Sequence, residues 1–274
     1  MYSINENHLL EGDGVEYLPC PKNQEKFSSL LPDTIVLHYT AGTNAESSAR
    51  YLVKDSVKAS AHIVIGRDGK VWQLVPFNTI AWHAGVSEYG NRKGYNKYSI
   101  GIELDNPGYL EKVGDEFLSV ATGRKYQAKD VIEKTHRNEQ SSRYWLTYTE
   151  AQISACREIC ETLIQKYNIS LVLGHEEIAP GRKLDPGPAF PLDKFRELLL
   201  SHDRAHDDED LNERTGLVSA SQLNIRVGAG INFDKLPLQL TQGALLHIQQ
   251  EHDGWYKIQM EVNGWVSAEH IQIK

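Results

Sequence analysis

Sulfur, positive charge and long apolar runs are all scarce in this chain, and each scarcity removes a class of protein. Its 274 residues hold 3 cysteines, Cys20, Cys156 and Cys160. That is too few and too odd a number for a disulfide framework, and the last two share a helix face where bridging geometry is poor. Reduced, buried thiols are expected. No stretch approaches the ~18 apolar residues of a membrane helix, so no membrane span is expected. Lysine and arginine total 29 against 37 acids, a formal charge of -8, and no basic cluster offsets it. A nucleic-acid partner is therefore not expected, because phosphate binding needs a basic face. Met1 to Leu10 has neither a basic nor an apolar leader region, so no signal peptide is encoded if this is the native start. The expected location is the cytoplasm, with the cell envelope, reached by leaderless export or lysis, as the alternative. A His-Glu-x-x-His helix is missing too, which removes the peptidases built on it. Gly12-Asp13-Gly14 follows no strand and makes no phosphate loop.

What is present suits a globular chain with a sizeable core: 24% charged and 40% hydrophobic residues, at a length that allows a large and a small domain. Gly174 to Pro191 packs an imidazole, an ammonium and a carboxylate, His175, Lys183 and Asp185, into a stretch too rich in proline and glycine for a regular helix. Directly before it, Ser170 to Leu173 reads as a short strand, which places His175 just past a strand end. Thr34 to Thr40 is a second buried-strand pattern ending in His38. A lone histidine of either kind reads as an ordinary side chain satisfied by backbone hydrogen bonds. Imidazole and carboxylate are also zinc ligands, and a catalytic zinc takes three protein ligands plus water. Ser99 to Leu104 is a third strand, interrupted by Glu103. A carboxylate there is either a general base with a raised pKa or a side chain turned outward by alternation. His62 has two readings, a hydrogen-bonded structural histidine or a ligand. Trp82-His83-Ala84-Gly85 suits a cleft wall that approaches a ligand closely, and Ser87 to Tyr98 reads either as a loop bordering the same cleft or as a plain solvated loop.

Five stretches carry a resemblance: Val36 to Thr40, Ser60 to Gly69, Ala81 to Gly85, Ser99 to Leu104 and the loop Gly174 to Pro191. In content and order they resemble the zinc-dependent type-2 N-acetylmuramoyl-L-alanine amidases, a family that includes anhydro-muropeptide amidases and peptidoglycan-recognition proteins. The resemblance implies an α/β fold with a mixed central β-sheet flanked by helices, and a Zn2+ held by His38, His175 and Asp185. It implies Glu103 as general base and Lys183 beside the oxyanion, with Tyr39, Trp82, His83 and Arg182 as candidate substrate contacts. The implied reaction is hydrolysis of the amide between N-acetylmuramic acid and L-alanine in peptidoglycan or its muropeptide fragments. The alternative is a peptidoglycan-binding recognition protein without catalysis.

Elsewhere the pattern predicts a surface helix over Asn44 to Val57 and a hairpin, Ile63-Val64-Ile65 against Val71 to Leu74, with His62 inside its first strand. From Asn106 to about Leu146 periodicity is lost, apart from a hairpin of Phe117 to Ala121 with Lys125-Tyr126. This insertion reads either as a lid or groove wall or as surface decoration. A helix capped by Thr149 presents Ile153, Cys156, Ile159, Cys160, Leu163 and Ile164, and a closing helix spans Leu192 to Leu200. Residues 1–200 form the expected catalytic domain. Residues 201–213, with six acids against one arginine, form an acidic linker. Residues 214–274 read as short strands of a small all-β barrel. Leu223 to Gly230, Asp253 to Ile258 and Asn263 to Val266 resemble bacterial Src-homology-3-like domains, although Val227 and Ala229 replace the usual serine or proline of the first motif. Binding of wall peptide or plain domain packing are the two roles open to it.

Overall fold

The computed structural model describes residues 2–22, 25–28, 31–167, 169–205, 215–252 and 254–259. The run Thr-Ile-Val-Leu-His lacks alternation because both faces of its strand are covered, and Thr34 to His38 are all buried, as in parallel sheets with helices on their faces. The first of two units, Met1–Asp203, contains in chain order β1 (Val15–Tyr17), β2 (Thr34–Tyr39), α1 (Ala45–Leu52), β3 (Ile63–Ile65), β4 (Val71–Gln73), β5 (Ser99–Leu104), β6 (Tyr109–Val113), β7 (Glu116–Ser119), β8 (Lys125–Tyr126), β9 (Val131–Thr135), β10 (Ser142–Leu146), α2 (Glu150–Lys166), β11 (Leu171–Gly174) and α3 (His175–Ile178), and α4 (Leu192–Ala205) leads out of it.

The central sheet is mixed, as expected, in the order β11-β2-β5-β3-β4-β1. Only β3 and β4 pair antiparallel, across the Asp68-Gly69 turn; the other neighbours run parallel. Ile35, Leu37, Ile100, Ile102 and Leu104 of the sheet pack with Cys156, Ile159, Cys160 and Leu163 of α2. Each such buried aliphatic side chain contributes about 1.5–3 kcal/mol relative to exposure. The start of α2 is fixed by a capping box, with the Thr149 side chain accepting from the Gln152 amide and Gln152 reaching back to the Thr149 amide, which satisfies two orphan donors. All three cysteines are free, Cys156 and Cys160 buried and Cys20 half-buried.

Four expectations are corrected. The first helix is shorter than Asn44 to Val57. It starts where Asn44 caps the Ser47 amide at 2.8 Å and stops at Leu52, since Lys54-Asp55-Ser56 has nothing apolar to bury. α4 continues to Ala205, into the stretch read as linker, because Ser201 to Ala205 holds no glycine or proline to break it; residues 206–214 lie outside the described residues. His62 precedes β3 instead of lying within it. The insertion is not irregular: β6 to β10 form a five-stranded antiparallel sheet, order β8-β7-β6-β10-β9, with Leu110, Phe117 and Leu146 as its core. The β7–β8 hairpin lies where the sequence placed it, between Phe117↔Tyr126 and Leu118↔Lys125.

The second unit, Arg204–Lys274, has β12 (Thr215–Leu217), β13 (Gln222–Arg226), β14 (Lys235–Thr241), β15 (Leu245–His252) and β16 (Trp255–Gln259). They pair antiparallel as β12-β15-β16 and β13-β14, around Val218, Leu240 and Leu246. The motif Asn263 to Val266 lies outside the described residues. Among the described residues no helix is long and apolar enough to cross a membrane.

Candidate metal centre

Parallel pairing makes neighbouring strands end on the same side, and ligands of α/β sheets bind outside those carboxyl ends. Here β11 pairs with β2 through Gly174↔Leu37, so His175, the next residue, comes level with His38. On the other side of β2, His38 pairs with Glu103 of β5, and both side chains project from one face because paired residues of adjacent strands do. Alternation does turn Glu103 away from Ile102 and Leu104, which pack against α2, but the face it turns to is the one that carries His38. Asp185 arrives from the following segment, tied back by the Glu176 amide donating to the Asp185 carbonyl at 2.8 Å. His175 itself opens the one-turn helix α3, which corrects the expectation of a stretch without helix: a single turn needs no amphipathic period, so proline and glycine downstream do not forbid it.

Three donor atoms converge. His38 Nδ1, His175 Nδ1 and Asp185 Oδ2 lie 2.9 Å from one another in every pairing, and all three residues are buried. The proton positions follow from the partners on the far sides of the rings. His83 Nε2 lies 3.1 Å from the Ser99 carbonyl, which can only accept, so that nitrogen carries the hydrogen. Burial holds His83 well below the ordinary imidazole range, so its ring is neutral and its Nδ1 is a lone pair. That lone pair accepts from His38 Nε2 at 2.9 Å. Burial, reinforced by His175, pulls His38 down to about 4, and its neutral ring therefore turns a lone pair at Nδ1 toward Asp185. His175 Nε2 in turn faces the Ala84 carbonyl at 3.1 Å, which can only accept, so that nitrogen carries a hydrogen and Nδ1 is the atom turned toward Asp185. Two imidazole nitrogens and a carboxylate oxygen that all face one point are placed to hold a cation between them. The donor set fits zinc, which takes imidazole nitrogen and carboxylate oxygen.

Glu103 stands beside this triangle with Oε2 buried and without a hydrogen-bond partner. Burial first, and the charge of Asp185 second, push its carboxyl well above the usual range, while Lys183 opposes them. From Glu103 a cleft of about 310 Å³ opens between Thr40, Thr43, Ser47 and Tyr51 on one side and Thr122 of the insertion on the other.

The structure separates the remaining candidates. His83 is buried beneath His38, with its Nδ1 on the His38 Nε2 that faces away from Asp185. A Cβ on Gly101 would come within 2.3 Å of its ring, so glycine is what lets His83 lie flat against β5. Arg182 Nη2 donates to the carbonyls of Ala84 and Val86, at 2.9 and 2.6 Å, which fastens the metal loop to the Trp82 loop. Tyr39 is half-buried and packs over Gly108, where a Cβ would meet the ring at 2.6 Å. Trp82 is exposed at 42%. His62 takes its structural reading, with Nδ1 accepting from the Gly101 amide at 2.9 Å and Nε2 facing the Thr79 carbonyl at 2.8 Å. Asn96, missed in the sequence, accepts from the His83 and Ala84 amides at 3.1 and 2.7 Å. Glu176 and His136 were missed as well, although a buried acid beside a strand-end histidine was a readable signal.

Residues 28–188 match the family described as N-acetylmuramoyl-L-alanine amidase, Amidase_2. The chain belongs to that family. The Amidase_2 stretch takes in all three donors, Glu103, Lys183 and the insertion. Among curated relatives, the 1,6-anhydro-N-acetylmuramyl-L-alanine amidase AmpD of Salmonella typhimurium strain SL1344 is 37% identical over 150 residues, 53% of this chain and 61% of AmpD. The N-acetylmuramoyl-L-alanine amidase AmiD of Escherichia coli K12 is 33% identical over 172 residues, 60% of this chain and 51% of AmiD. The chain thus spans about three fifths of the one and half of the other. A solved complex of AmiD with the substrate anhydro-N-acetylmuramic acid-L-Ala-D-gamma-Glu-L-Lys has a TM-score of 0.46 and 30% identity, covering 64% of this chain and 59% of that one.

Proposed function

We propose that this protein is a zinc-dependent amidase that hydrolyses the bond between N-acetylmuramic acid and L-alanine, with 1,6-anhydro-muropeptides as its first substrate. The observation that carries the reading is the triangle of three buried ligand atoms with the Glu103 carboxyl, its Oε2 unpartnered and its pKa raised by burial, beside it. The names of the relatives supply the substrate class.

In this reading His38, His175 and Asp185 hold the ion. When bound, zinc supplies Lewis acidity, polarising a carbonyl and lowering the pKa of a water. Glu103 takes the proton from the attacking water at its carboxylate and returns it to the departing alanine nitrogen, a role suited to a base whose pKa burial has raised. Lys183, close enough to lower the Glu103 carboxyl, offers its ammonium to the developing oxyanion. His83 keeps the His38 Nδ1 lone pair turned to the ion, as partners behind zinc-bound histidines do. The second unit is a bacterial Src-homology-3-like barrel in this reading, supported by its short antiparallel strands and the Asp253 to Ile258 motif.

The test is mass spectrometry of products after incubating the zinc-loaded chain with a soluble anhydro-muropeptide and, separately, with insoluble sacculi. Peptides beginning at L-alanine are expected from the first, and their release from sacculi too would extend the substrate to polymer. No product from either overturns the reading.

A further inference from the structure

We infer that the insertion sheet is a clamp on the metal loop, and that His136 and Glu176 are its positioning residues. The inference rests on the metal reading above. His136, just after β9, and Glu176, just after His175, are both almost fully buried and meet Nε2 to Oε2 at 2.6 Å. The direction of that bond is settled by Asn138, whose backbone amide donates to His136 Nδ1 at 3.1 Å. Nε2 therefore carries the hydrogen and Glu176 accepts it. The same Glu176 oxygen accepts from the Gly187 amide at 3.1 Å, two residues past Asp185, while the Glu176 amide holds the Asp185 carbonyl at 2.8 Å. One residue thus grips both ends of the ligand set, since it neighbours His175 in the chain and brackets Asp185 by hydrogen bonds.

The rest of the turn between β9 and β10 reaches the same short helix. Arg137 Nε lies 3.1 Å from Glu176 Oε1 and its Nη1 pairs with Glu177. Asn138 Nδ2 donates to the Glu176 carbonyl at 2.9 Å. A separate observation points the same way: Trp145 of β10 stacks on His136 and lies so close to Gly187 that a Cβ there would come within 2.9 Å of the ring. A buried carboxylate is costly unless well partnered, and apolar packing would hold two segments together at least as well. What the charged cluster adds is direction, fixing the spacing between His175 and Asp185.

The experiment measures zinc affinity of the full chain by chelator competition, with circular dichroism as the check on folding. His136→Ala is expected to weaken zinc binding about 10–100-fold, as losing supports behind metal ligands does. His136→Gln keeps a donor where Nε2 stood but loses the stacking ring, and is expected to recover most of that loss. Arg137→Met, at a partly exposed position, is expected to weaken binding severalfold. If Gln behaves like Ala, packing and not the hydrogen bond carries the effect and the inference falls; it falls equally if His136→Ala binds zinc like the parent. Should His136→Ala not fold, Arg137→Met decides: parent affinity overturns the clamp, and weakened binding supports it. A parent that binds zinc no better than His175→Ala would instead sink the metal reading, and the clamp with it.

Discussion

His38 and His175 turn the same nitrogen toward the same point, yet they are held by different means. Behind His38 is a second buried imidazole, His83, whose own hydrogen ends on the Ser99 carbonyl. Behind His175 is the Ala84 carbonyl, shared with Arg182, and the helix that begins with His175 is tied down from the insertion by the His136 hydrogen bond and the Arg137 ion pair. The first support depends on a single side chain in a dry interior. The second is spread over backbone and several charges. Supports of these two kinds fail differently, and substitutions can tell them apart.

The largest expected effect erases the difference: His38→Ala and His175→Ala should each abolish zinc binding at the centre and turnover with it, measured by metal content after dialysis. Parent-like zinc content in either variant would refute the three-donor centre. Next in size, Glu103→Gln should leave both supports and zinc affinity intact while lowering kcat about 10²–10⁴-fold, the range for losing a general acid–base. A loss of zinc in that variant would mean that Glu103 is a ligand instead.

The comparison itself is sharpened by His83→Ala set against Arg182→Ala. Removing His83 leaves the His38 Nε2–H unpaired in the interior, and zinc affinity should fall about 10–100-fold. His83→Asn, whose side-chain oxygen can accept where Nδ1 did, should restore part of it. Removing Arg182 leaves the Ala84 carbonyl in place for His175, so a change below about threefold is expected at this exposed ion. Equal losses in the two variants would contradict the distinction drawn here.

The smallest effect is on stability. Burial and Asp185 raise the Glu103 carboxyl well above its ordinary 4.5. Below pH 4.5 the group is protonated in folded and unfolded chains alike. As pH climbs through the raised folded value, the folded state must give up a proton that it holds more tightly than the unfolded chain does, and stability is lost. Glutamine has no such proton. Melting curves of metal-free parent and Glu103→Gln should therefore coincide near pH 4 and separate in favour of the variant toward pH 8; a constant gap would place the titrating group elsewhere.

Strand ends were the legible part of this molecule. A central parallel strand is buried on both faces, so Thr34 to His38 reads as one apolar run, and a histidine or glutamate within such a run announces itself. Direction was not legible. His83 and Arg182 both border the centre, but adjacency in sequence cannot say that the first lies beneath His38 and the second sets Nη2 on two carbonyls. The insertion escaped for another reason. Its strands are two to five residues long, and two of them are exposed on both faces over Glu111 to Val113 and Glu133 to Thr135, so charged residues such as Glu111, Lys112, Glu133 and Lys134 break any run that periodicity could detect. Glu176 was hidden by company, being one of two consecutive acids in a stretch already crowded with chemistry.

The distribution of sulfur has a consequence of its own. Cys156 and Cys160 belong to the core under α2 and Cys20 lies near the Leu52 carbonyl, so the proposed centre is assembled without a thiolate. Thiolate centres surrender their metal when oxidants convert the sulfur; imidazole and carboxylate surrender it to protons. This chain should therefore keep its ion through peroxide exposure and release it on acidification, which makes acidity, and not redox state, the environmental variable that sets its occupancy.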